Sequence, residues 1–243
     1  MTEIAPLKIA HRPGTYARTA ATIEQILNAT MRILMTEGYA ALTLRRVAAE
    51  CGLRIGNLTY HFPTKSELVT ALLEAVLEGY RERNRQIHRG LDLDDRTRLK
   101  AAIFNTLRDV QSFQTTYLFP ELWSLANHDP VVGAKVQEFY RQARRPTIQL
   151  VRRLNPALDE ADAETLSIFI SAFVEGATIF AGHDKPYAPI MPDLAGLAMD
   201  AFLHLVETAT PDKLHALRAE WAAAPPDISA LPAFALRAAA KSD

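Results

Sequence analysis

Cysteine is almost missing from this 243-residue chain, where Cys51 stands alone. A single thiol excludes an internal disulfide framework and any cysteine-based zinc site. Glycine (10) and proline (14) are too scarce for a fibrous or low-complexity protein. Residues 1–10 lack the apolar run of a secretory signal. The longest greasy stretch, Leu166 to Gly182, is interrupted by Glu175 and is expected to fall short of a membrane span. No period-two run of β-branched residues suggests a strand. There is also no glycine-rich phosphate loop, nucleophile elbow, HExxH pair or well-spaced carboxylate pair, which leaves an all-helical enzyme as the weakest reading. These absences together describe a cytoplasmic protein without membrane attachment, cofactor or bound metal.

What is present is an apolar fraction of 49%, enough for a real core. Its stripes recur at 3.6-residue spacing, so the fold class is all-α. Ile23, Ile26, Leu27, Ile33 and Leu34 share one face of a helix over about 19–37, closed by Gly38. Thr43 sits at an N-cap position between Leu42 and Val47, which are spaced as a hydrophobic staple. A second helix, Leu44 to Cys51, turns Leu44, Val47, Ala48 and Cys51 inward, and Gly52 ends it. A third covers about Ile55 to His61, before Pro63. Thr64-Lys65-Ser66-Glu67 is a capping box opening a long fourth helix of about 25 residues. Further helices are expected near 96–113, 116–127, 130–153, 159–182, 193–208 and 211–221.

The charge is uneven. Residues 1–65 carry eight Lys/Arg against four acids, while the remainder carries 19 against 24. A basic N-terminal part suits an anionic partner such as nucleic acid. Two short helices joined by Gly52-Leu53-Arg54 form a helix-turn-helix pattern. Its outward positions hold Arg45, Arg46, Arg54, Asn57, Thr59, Tyr60 and His61. Arg and Asn bond guanine and adenine edges bidentately, whereas Thr, Tyr and His reach phosphate oxygens. A seven-residue helix is long enough to lay its first half in a major groove.

These residues resemble the DNA-binding domain of TetR/AcrR-type transcriptional regulators over residues 19–78. Gly38-Tyr39, Thr43, Val47-Ala48, Gly52, Leu58, Tyr60-His61-Phe62, Lys65 and Leu68 fit that pattern together. Arg54 departs from it by occupying a position where the family often has a capping Ser, and Thr59 stands where an aromatic is usual. The resemblance implies an N-terminal three-helix DNA-binding domain joined to a larger helical domain for ligand binding and dimerisation. The corresponding division is a basic flexible arm over 1–17, a DNA-binding domain over 18–66 with its helix-turn-helix at 43–62, an effector and dimerisation domain over 67–221, and a loose tail over 222–243.

What the resemblance further implies is a homodimer on palindromic double-stranded operator DNA, released when a small-molecule effector binds. The DNA-contacting residues are expected to be Thr43, Arg45, Arg54, Asn57, Thr59, Tyr60, His61 and Lys65. Arg54 and Asn57 would read bases, and Lys65 would hold phosphate. For the effector, Phe104, Leu107, Tyr117, Trp123, Phe173 and Glu175 are the expected lining, although Glu175 is equally compatible with an interface or an exposed face. Phe202 and Leu205 are expected in the dimer interface. His128-Asp129 and His183-Asp184 read as helix caps, and no metal site is assigned. The alternative regulator is a helix-turn-helix protein without an effector, acting through protein partners.

Overall fold

A computed structural model describes Leu7, residues 17–88 and residues 92–223. Apart from Leu7 and Ala17, the arm over 1–17 lies outside these residues, as does the tail beyond Ala223. Leu7 itself is buried, and Asn28 brackets it, taking its amide at 2.8 Å and donating to its carbonyl at 3.2 Å. Ten α-helices and no strand are present among the described residues.

Local chemistry sets the first four helices. α1 (Ala17–Glu37) stops where Gly38 adopts φ +78°, a left-handed conformation that glycine reaches without steric cost. A 3-10 turn, Tyr39–Ala41, leads to Thr43, whose hydroxyl caps α2 (Leu44–Glu50) by accepting the Arg46 amide at 3.0 Å. Such a cap is worth about 1 kcal/mol. Gly52, at φ +64°, reverses the chain into α3 (Ile55–His61). Thr64 then opens α4 (Lys65–His88), accepting the Glu67 amide at 3.1 Å and donating to the Glu67 carboxylate at 3.0 Å.

The remaining helices are α5 (Asp95–Val110), α6 (Phe113–Ala126), α7 (Pro130–Leu154), α8 (Glu160–Ala181), α9 (Met191–Thr208) and α10 (Pro211–Ala222). Asp94, Ser112, Asp129, Asp159 and Thr210 cap five of them through side-chain oxygens. α8 and the segment Ala188–Thr208 are long and apolar enough to cross a membrane by length and composition. This corrects the expectation for Leu166 to Gly182, because α8 reaches back to Glu160. Both helices contribute residues to a helical core, including Ile170, Val174, Phe202 and Val206.

Two cores form. One joins α1, α2, α3 and α4 to α6 and the first half of α7, through residues such as Ile26, Leu58, Leu72, Leu122 and Phe139. The other joins α5, the second half of α7, α8 and α9 through Leu99, Leu107, Val151, Leu166 and Phe202. The division at residues 66 and 67 therefore does not separate two cores: the helix-turn-helix shares its packing with α4, α6 and α7.

Candidate nucleic-acid interface and effector cavity

The recognition face is built on α3. Leu58 is its buried anchor, while Arg54, Ile55, Gly56, Asn57 and Tyr60 face outward, Tyr60 with 81% of its surface exposed. Arg54 occupies the N-cap position without a side-chain cap bond, so its guanidinium is not spent on the helix. His61 is half-buried, its ring edge-on to Tyr60 at 5.2 Å between centroids. Arg45 and Thr43 are exposed on α2 and at its cap. Thr43 uses only an oxygen lone pair for capping, leaving its hydroxyl hydrogen for an acceptor such as phosphate.

Three residues behave differently from a simple outward-facing set. The Thr59 hydroxyl lies within bonding distance of the carbonyls of Ile55 (3.1 Å) and Gly56 (3.3 Å), so its hydrogen is used inside α3 and its lone pairs suit a donor rather than a phosphate. Arg46 is clamped by Glu37 at 2.6 Å and Glu50 at 2.9 Å, fastening α1 to α2. The Lys65 amine folds back on the 3-10 turn, donating to the Tyr39 carbonyl at 3.2 Å and lying 3.4 Å from the Tyr39 ring centroid. Burial there lowers its pKa from the ordinary lysine value. Ile55 is also exposed, with 42% of its surface accessible, an apolar member of a face whose other expected contacts are polar. Its apolar surface matches the methyl group a thymine presents in the major groove.

Between the two cores lies a cavity of about 540 Å³, walled by α4, α5, α6, α7 and α8. Leu77, Tyr80, Phe119 and Phe139 face it from the DNA-side core, and Ile103, Val110, Leu150 and Val174 from the other. The α5 wall is mostly small or polar, with Ala102, Asn105, Thr106 and Asp109 at helical spacing. Proline interrupts two neighbouring helices, Pro120 in α6 and Pro146 in α7, each removing one main-chain hydrogen bond.

Of the six expected lining residues, only Glu175 borders this cavity. Trp123 borders an adjoining cleft of about 370 Å³. Phe104 is next in sequence to lining residue Ile103, so the helix turns its side chain about 100° away and leaves it half-exposed. Leu107 is sealed in the second core, Tyr117 stacks on Phe113 at 4.6 Å, and Phe173 packs against Phe202 at 5.4 Å. These four placements correct the expectation.

Tyr140, Arg144, Ser171 and Glu175 border both the cavity and the cleft. The Trp123 indole donates to the Tyr140 hydroxyl at 2.7 Å, and Tyr140 in turn is hydrogen-bonded to Glu175. Burial raises the Glu175 pKa to about 7, the Tyr140 bond only partly opposing it. Burial and the neighbouring Glu175 carboxylate push the Tyr140 phenol well above its usual range.

The cleft opens onto Ile168, Ala172, Gly176 and Ile179 of α8. Ile168, Phe169, Ile179 and Phe180 of α8 and Leu197 of α9 are exposed, Leu197 with 70% of its surface. Of the two expected interface residues, Phe202 is buried within the chain, while Leu205 keeps part of its surface exposed. Phe202 is 3% exposed and packs on Phe169 and Phe173, and Leu205 lies half-buried against the same core. Among the described residues, no group of three or more His, Cys, Asp or Glu is placed to hold a metal. Asp129 and Asp159 cap helices, and His183 sits 3.3 Å from its neighbour Asp184.

Comparison with known proteins gives two successive family matches along the chain. Residues 26–72 match the profile of bacterial regulatory proteins of the tetR family, and residues 95–206 match the C-terminal domain of BetI-type transcriptional repressors. The chain is similar to the HTH-type transcriptional regulator BetI of Burkholderia cenocepacia, with 26% identity over 153 residues, covering 63% of this chain and 77% of that protein. Among solved structures it is similar in fold to Salmonella enterica GusR, with TM-score 0.65, 16% identity and coverage of 81% of this chain and all (100%) of that one. A protein of Saccharomonospora viridis solved in complex with choline aligns at TM-score 0.55 and 17% identity, covering 77% of this chain and 94% of that one.

Proposed function

The chain belongs to the TetR family of transcriptional regulators, and from that premise we propose that it is a cytoplasmic, homodimeric repressor that leaves a palindromic operator when a small molecule enters the cavity between its two cores. The position of that cavity carries the reading. A ligand there touches Tyr80 and Leu77 on α4 and Phe119 on α6, both in the core that holds α3, and also Val174 and Glu175 on α8. Its contacts would therefore differ whenever these helices shift against each other, which is the condition for a ligand to change a conformational equilibrium. Choline in the S. viridis protein supports small-molecule binding in a similar fold.

The exposed apolar residues of α8 and α9 support pairing of two copies through these helices. A patch containing Phe169, Ile179, Phe180 and Leu197 is costly to leave in water. Two recognition helices on a two-fold axis also double the bases read by one seven-residue helix. In this reading Arg54, Asn57 and Ile55 face base edges, with Arg45 beside them. Thr43, Tyr60 and His61 hold the backbone, and Lys65 contributes charge near the phosphates while supporting Tyr39.

Selection of operator sites from random DNA, followed by mobility shift with and without small-molecule extracts, tests the proposal. A palindromic site released by an extract component is the expected result. A site that no extract component weakens would replace the effector with protein partners.

A further inference from the structure

Two oppositely charged side chains border the same cavity without pairing with each other. Glu175 meets one protein donor, the Tyr140 hydroxyl, whose own oxygen is taken by Trp123. Arg144 follows Tyr140 by one turn of α7, and its buried Nε has no acceptor. Gln142 Oε1, also in the lining, is buried without a donor. The other charged groups of the lining are engaged: Arg81 with Glu78 at 3.4 Å, and Asp109 with an interaction of its own.

Buried polar atoms without partners cost free energy, as does a buried carboxylate with a single donor, so Arg144 Nε, Gln142 Oε1 and Glu175 together define what would satisfy them. Glu175 and Gln142 Oε1 call for N–H donors, positively charged for the Glu175 carboxylate, and Arg144 Nε calls for an acceptor. A ligand with one charge alone would leave the opposite side chain uncompensated. The rings of Tyr80, Phe119, Phe139 and Tyr140 add faces that attract a cation.

We infer that the cavity takes a small zwitterion, with a primary ammonium held by Glu175 and Gln142 and a carboxylate held by Arg144. The inference rests on reading this cavity as the effector site and names the chemistry of the effector. An ammonium beside Glu175 stabilises its ionised form. Because that carboxyl titrates near pH 7, binding at neutral pH releases about half a proton.

Three probes sharing a six-carbon chain separate the charges: 6-aminohexanoate, hexylamine and hexanoate. Calorimetric titration into the full-length protein without DNA should show 6-aminohexanoate binding at least about tenfold more tightly than either singly charged probe. The amine-bearing probes should gain affinity between about pH 6 and 8, with heats that depend on buffer ionisation, while hexanoate should not. Glu175→Gln should erase the advantage of 6-aminohexanoate over hexanoate, and Arg144→Met its advantage over hexylamine, with helical circular dichroism retained in both. Equal binding by a singly charged probe, a zwitterion preference that survives both substitutions, or no binding by any probe at about 1 mM overturns the inference. Release of operator by an uncharged compound in a parallel mobility shift would remove the inference and leave the effector reading intact. The expected probe order without any effect on operator binding would do the reverse.

Discussion

Removing the Glu121 carboxylate should loosen the helix-turn-helix from the rest of the chain. The Tyr39 amide opens the 3-10 turn before α2, and Gly38 has no side chain with which to cap it. Glu121, on α6 and 82 residues away in sequence, accepts that amide at 2.7 Å. The turn's other side is held by Lys65, whose amine takes the Tyr39 carbonyl and lies over its ring. Tyr39 is thus clamped between α6 and the start of α4. A hydrogen bond to an ionised acceptor contributes about 1.5–3 kcal/mol, and the half-exposed position of Glu121 lowers this to about 1–2 kcal/mol. Glu121→Ala should lower Tm by roughly 3–6 °C for a chain of this size. Glu121→Gln keeps an acceptor oxygen and should lose less than half as much. If all the lost energy falls on the orientation of α2 and α3, operator affinity drops about 5–30-fold in Glu121→Ala. Thermal melting and fluorescence anisotropy on a selected operator measure both effects. A Glu121→Ala protein that melts within about 1 °C of wild type and binds operator equally well would show that this bond does not hold the turn.

Leu197→Glu should give folded monomers by light scattering, whereas Phe202→Glu should lose helical circular dichroism altogether, since truncation of a buried Phe alone costs about 3–5 kcal/mol; a folded Phe202→Glu chain would refute the assignment of Phe202 to the core. Arg54→Ala should lose about 1–3 kcal/mol on the selected operator and tolerate changed bases at one position, while Lys65→Ala should weaken all sequences alike, flatten the salt dependence by about one charge per subunit and also lower Tm. Identical behaviour of the two across an operator library would overturn that division. Glu175 titrates near pH 7 in the folded chain, above its ordinary value of 4.5, so the folded state carries a penalty that grows as pH rises between these values and levels off above them. Glu175→Gln should therefore match wild type in Tm near pH 4.5 and exceed it by the equivalent of about 1–3 kcal/mol at pH 8, and a gap that does not change with pH would refute the burial argument.

The DNA-binding half was legible because its signals are local. Thr43, Thr64 and Glu67 act within three residues of themselves, and Gly38 and Gly52 mark the two positive-φ turns. Such features follow from the chain's immediate neighbours. The roles of Arg46 and Lys65 did not follow, because each is decided by a partner on another element, Glu37 for one and Tyr39 for the other. The cavity was hidden for a related reason. Its α5 wall, Ala102, Asn105, Thr106 and Asp109, has the composition of a solvent-facing stripe, whereas the aromatic Phe104 is the α5 residue that stands out in the sequence. The proposed interface presents the opposite ambiguity. α9 is apolar on more than one side, and no periodicity states that Phe202 turns into the core while Leu197 turns out.

The geometry also constrains how a ligand would act in the proposed repressor. α4 has 24 residues and therefore runs about 36 Å, with Lys65 beside the recognition motif and Leu77 and Tyr80 on the cavity wall. A tilt of about 5° about its far end would displace Lys65 by about 3 Å. Two recognition helices must stay near one helical repeat apart, about 34 Å, so a shift of that size in each subunit is enough to spoil the fit. α4 alone would leave the orientation of α3 free to adjust. Glu121 removes part of that freedom, because α6 contributes Phe119 to the cavity and, two residues later, the carboxylate that fixes Tyr39. A ligand pressing on Phe119 and Tyr80 would then move two supports of the same turn. Coupling of about 1–3 kcal/mol through these contacts is enough to vacate most operators, and reciprocity requires operator DNA to weaken the ligand by the same factor. Glu121→Ala should lower that reciprocal factor while leaving ligand affinity in the absence of DNA unchanged.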